Sequence, residues 1–158
     1  MPYSHKTYLL TETAVGSAIS LVLSIVFVFL IFDSNMTVPI YGLQGLIVDS
    51  VPQSFAIAFM ATLMPTFLTR IRLKAGKIKV IDGRGTWLPQ NVFLRSLTMA
   101  ILVTIVAYSA HFVAFGMTGF NSLSFTNALI YKACYGAFLG ATVAYYSLLN
   151  ALSAKSRV

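Results

Sequence analysis

The chain has 158 residues, of which 58% are hydrophobic and only 9% charged, with a mean hydropathy of +0.82 and a formal net charge of +7. Soluble domains average about 45–50% apolar and about 25% charged residues, so this composition excludes an ordinary water-soluble fold and indicates one small membrane-embedded domain. The positive charge does not read as a nucleic-acid footprint: seven of the eleven basic residues, from Arg70 to Arg95, fall in one segment between apolar stretches, where such charges fix orientation in a bilayer.

The first apolar run, Ala14 to Phe32, is 19 residues long without a charge, which at 1.5 Å per residue nearly matches a hydrocarbon core of about 30 Å. Only Lys6 precedes it and no small-residue cleavage site follows, so it reads as a retained first span rather than a signal peptide. Ser34 to Ser50 carries Pro39, Gly42 and Gly45 and no Lys or Arg, which predicts a loop or a short interfacial helix. Asp49 and Ser50 before Pro52 resemble a capped helix start, and they predict a second span from about Val51 to Thr69. Pro65 is expected to kink its last turns.

The basic segment 70–95 follows. Residues 77–81 partly alternate in polarity and Asp82-Gly83 is a hairpin turn signal, so a small β-hairpin is expected, held by the membrane surface or a partner, with Trp87 as an interfacial anchor. Arg70, Arg72, Lys74, Lys77, Lys79, Arg84 and Trp87 form a candidate contact for anionic headgroups or an acidic partner. The plainer alternative is that these charges only set topology and snorkel to phosphates.

A third span is predicted from Ser96 to about Gly116. Met117 to Asn127 is again free of charge, and a fourth span runs from about Ala128 to Leu152, just before Lys155 and Arg157. The positive-inside rule then puts both termini and the 70–95 loop in the cytoplasm, in an all-α four-helix bundle, N-in and C-in. Helix, basic-free loop and helix recur at an offset of about 77–79 residues, so two readings stay open: a duplicated helical hairpin, or two unrelated ones.

Gly136 and Gly140 make a GxxxG pair in the fourth span, flanked by small alanines, and Gly16, Ser20 and Ser24 make a similar row in the first. Small residues four apart let helix backbones approach closely, so both rows are expected at helix contacts.

The ionisable residues near the spans are few. Asp33, Asp49, His111, Asn127 and Lys132 fall at one end of the predicted helices and form a candidate polar cluster, with Lys132 pairing to Asp49 or Asp33. The favoured alternative has Lys132 snorkelling outward and His111 at headgroup level. Glu12 is expected to cap the first helix or to pair with Arg95 or Arg70.

Two separated histidines, His5 and His111, and one cysteine, Cys134, make no metal, redox or nucleophilic constellation, so neither catalysis nor a cofactor is expected. Two function classes remain. The first is an accessory, assembly or scaffold subunit, acting by helix packing and its basic loop as a homo-oligomer or within a larger complex, in contact with anionic lipid. The second is a small oligomeric transporter or channel using the cluster near Lys132. Compactness and the charge pattern suggest a bacterial inner membrane.

Overall fold

The structure, a computed structural model, describes residues 4–81 and 88–153, and within these the chain is mostly helical. Four long helices, α1 (His5–Ile31), α2 (Leu46–Lys74), α3 (Val92–Thr118) and α4 (Phe125–Ser153), are joined by short segments. Three of them, α1, α2 and α3, are long and apolar enough to cross a membrane. The fourth is equally long and carries one charge, Lys132, but its apolar residues are diluted by Gly, Ala, Ser, Thr and Tyr.

Each helix extends beyond the span predicted for it, because flanking turns too polar to count as span find partners of their own. α1 begins nine residues before Ala14 (14 − 5 = 9), and in that extension Tyr8 OH meets Thr69 Oγ1 of α2 at 2.8 Å while Glu12 pairs with Arg72. α2 begins at Leu46, not at Asp49 or Ser50, and its N-cap is Gly45. Leu46 and Ile47 drive the early start, since both are buried in an apolar cluster with Val28, Ile40 and Phe115. Asp49 therefore lies inside the first turn, where an acid suits the positive end of the helix dipole. α2 continues as one helix through Pro52 and Pro65.

Asn91 caps α3, its Oδ1 accepting from the N–H groups of Phe93 (2.9 Å) and Leu94 (3.3 Å). At the other end of α3, Gly119 takes the left-handed conformation (φ 69°) that closes many helices and that a side chain would resist.

The only strands among the described residues lie in neither helix hairpin alone. β1 (Val38–Pro39) and β2 (Ser122–Leu123) pair antiparallel, Val38 opposite Leu123, so the two charge-free loops are stitched together. The expected hairpin in the basic segment is not what the described part of that segment forms. Residues 77–81 contain no strand; the N–H of Ile81 donates instead to Leu152 O (3.1 Å), and His5 Nε2 meets Lys79 O (2.9 Å). The turn at Asp82-Gly83, with Arg84 and Trp87, lies outside the described residues.

These contacts put the N-terminal end of α1, the C-terminal ends of α2 and α4, and the basic segment at one end of the molecule. The strand pair lies at the other. The packing is symmetric under exchange of the two halves. α1 and α3 are 27 residues each and α2 and α4 are 29 each; α1 packs mainly on α4, α3 packs mainly on α2, and α2 and α4 meet in the middle. Within each half, the two helices touch each other only slightly.

Candidate functional site

Lys132 lies seven residues into α4, on the face turned toward α2, and is fully buried. Its Nζ donates to Asp49 Oδ2, and Asp49 is itself only 6% exposed. The cationic stem does not snorkel outward as the favoured alternative required. The amine has a carboxylate to reach across a helix contact, and removing two charges from water is tolerable only when they satisfy each other.

The pair sits in a polar layer. On the same side of α2 as Asp49, one turn later, Gln53 Nε2 donates to Ser24 Oγ of α1 (2.7 Å), and Ser24 donates on to Ser20 O (2.8 Å). Ser54 Oγ meets Tyr135 OH of α4 at 2.5 Å. His111 of α3 is 3% exposed; its Nδ1 donates to Ala107 O (2.7 Å), while Tyr135 and Tyr131 stand edge-on to the ring at centroid distances of 4.5 and 5.7 Å. Three polar atoms in this layer are buried without a hydrogen-bond partner, Asp49 Oδ1, Gln53 Oε1 and His111 Nε2.

Of the five residues expected to cluster, the structure brings Asp49 and Lys132 together with His111 nearby in the tyrosine layer. It leaves the other two out. The Asp33 carboxylate is exposed and accepts from Asn35 N (2.9 Å) and Nδ2 (3.2 Å) in a local turn, and Asn127 is exposed in the first turn of α4. Gln53 and Ser54 escaped the sequence reading. Their signal was present for Gln53, which stands four residues after Asp49 and so shares its helix face.

The small-residue rows meet each other within one chain. A methyl group added at Gly136 would stand 1.6 Å from Ser24 Oγ, and one added at Gly140 would stand 2.1 Å from Ser20 Oγ. Gly16 approaches Ala144 in the same way, with 3.0 Å between the methyl positions. The Ser17 hydroxyl donates to Ala137 O at 2.9 Å, a bond that such close backbones allow.

At the basic end, Glu12 pairs with Arg72 rather than with Arg95 or Arg70, and the Arg72 guanidinium also lies 5.2 Å from the centre of the Tyr8 ring. The α1 extension that sequence patterning missed is what carries Glu12 to this position. Arg70 donates to Gln90 O (2.5 Å), and buried Arg95 donates through Nε to Pro89 O (3.0 Å), so both arginines hold the segment that leads into α3. Lys74, Lys77 and Lys79 are exposed. Tyr8, Thr11, Glu12, Arg72, Lys77 and Ile78 enclose a recess of about 350 Å³ of mixed polarity.

Among the described residues no group of three or more His, Cys, Asp or Glu side chains is placed to hold a metal ion. No protein-family model matches the chain, and neither a curated protein nor a solved structure matches it.

Proposed function

We propose that the protein crosses a bacterial inner membrane four times, with both termini and the 70–95 segment in the cytoplasm, and serves there as an accessory, assembly or scaffold subunit. The observation that carries this reading is the division of polar groups in the fold. Those between the helices are largely spent on one another: Lys132 on Asp49, Gln53 on Ser24, Ser54 on Tyr135, and Ser147 on Thr62 at 3.1 Å. Those at the termini end are offered outward, with three exposed lysines and a half-exposed Arg72 beside the recess. A helix bundle fastened inside and basic at one face is suited to holding an anionic headgroup or an acidic partner against the membrane.

An oligomeric transporter is the weaker reading, because the fully buried Lys132 amine and its carboxylate partner Asp49 are engaged with each other as a helix lock.

The test replaces Lys74, Lys77 and Lys79 together by glutamine. Each juxtamembrane base contributes about 1 kcal/mol near anionic lipid, so binding to phosphatidylglycerol vesicles should weaken roughly a hundred-fold if all three act. A partner retained from native membranes should be lost in parallel, with helical content unchanged by circular dichroism. Unchanged vesicle binding and unchanged co-purification would refute the proposal.

A further inference from the structure

The α3–α4 gap is where the two halves of the molecule differ. Counting from each helix start, Gln53 of α2 corresponds to Lys132 of α4, and Ser24 of α1 corresponds to His111 of α3. In the first half these positions bridge the gap, with Gln53 donating to Ser24. In the second half Lys132 has turned to Asp49 instead, and His111 Nε2 is left as a buried nitrogen with no donor. Because Nδ1 carries the proton given to Ala107 O, Nε2 of the neutral ring is an acceptor.

Beside it the helices part to leave a cleft of about 510 Å³, whose walls include Leu102, Val106, Ala110, Phe138 and Leu139, with His111 and Tyr131 lining it as well. An apolar cleft of a few hundred Å³ with one unsatisfied polar group is the usual form of a small-molecule site. The lining residues carry no acid, lysine or arginine, which fits a neutral occupant. A plain acyl chain would fill the volume but leave the buried acceptor unpaired, whereas a hydroxyl would satisfy it.

We propose that the α3–α4 cleft binds a neutral, lipid-soluble alcohol or phenol, its apolar body between the helices and its hydroxyl donating to His111 Nε2. Tyr131, only half-buried, lines the same cleft and stands edge-on to the His111 ring. This site is separate from the basic end and does not depend on the scaffold role.

The purified protein in lipid nanodiscs is exposed to a diazirine-bearing hexadecanol or to its methyl ether, irradiated, and the labelled peptides are mapped by mass spectrometry. The alcohol should label peptides from 99–114 and 131–143 about five-fold more than the ether, the ratio expected from one hydrogen bond. His111→Leu should erase that preference while ether labelling stays the same, and Ala110→Trp, which fills the cleft, should suppress labelling by both probes there. Because the wild-type comparison needs no variant, misfolding of either variant leaves the test intact. Equal labelling by the two probes would mean ordinary acyl-chain contact and would overturn the proposal. So would crosslinking of the cleft peptides to a second protein chain in place of the probe.

Discussion

Lys132→Leu should lower the stability of the detergent-solubilised protein by about 3–5 kcal/mol, the cost of leaving one member of a buried ion pair without its counter-charge. The carboxylate of Asp49 would then face the α2–α4 contact with neither water nor a cation, since its Oδ1 already lacks a partner and Oδ2 would lose its only one. The double replacement Lys132→Leu with Asp49→Leu should recover most of the loss, because replacing both charges by apolar groups removes the desolvation cost along with the attraction. Unfolding followed by circular dichroism in a denaturing detergent measures both. If the single variant lost no more than the double, the pair would not be a lock between α2 and α4.

Gly136→Leu should be the most damaging single change in the α1–α4 contact. The site has no room for even a methyl group, which would land within bonding distance of Ser24 Oγ, and the displaced Ser24 is the acceptor for Gln53. Overpacking a tight core costs about 1–3 kcal/mol and at times more, and here the loss of the Gln53 bond adds to it. Separation of α1 from α4 should appear as loss of a disulfide engineered between them, and as faster proteolysis of the loop that follows α1. Ser24→Gly in the same chain should relieve part of the clash; no relief would place the damage elsewhere.

Three of the helices were legible because a charge-free run of about 20 residues has few other fates, and α4 was legible as an apolar run interrupted only by Lys132. Their ends were not. The first nine residues of α1 are polar by pattern, and become helix because Tyr8 and Glu12 have Thr69 and Arg72 to meet, partners more than fifty residues away in the chain. The same holds for Leu46 and Ile47, which extend α2 backward because a buried cluster receives them.

The strand pair was beyond reach for a related reason. Two-residue strands in loops separated by two helices carry no periodic signal, and the alternating stretch at 77–81, which does carry one, bonds instead to α4 and α1. For the polar layer, composition narrowed the choice without making it. Three acids and one lysine near the spans admitted several pairings, and the outcome turned on which face of α4 meets α2, a matter of tertiary packing. Sequence patterning alone favoured an outward lysine, whereas that face contact buries it.

The proposed placement of the basic segment and the β1 loop on opposite sides of the membrane can be tested by labelling. Cys134 is replaced by alanine, and single cysteines are introduced in place of Leu43, in the loop containing β1, or Val80, in the basic segment; both positions are exposed. In intact cells a membrane-impermeant maleimide should modify the cysteine at 43 and reach that at 80 only after the membrane is opened. Labelling of 80 without permeabilisation, or equal labelling of the two positions, would contradict the account.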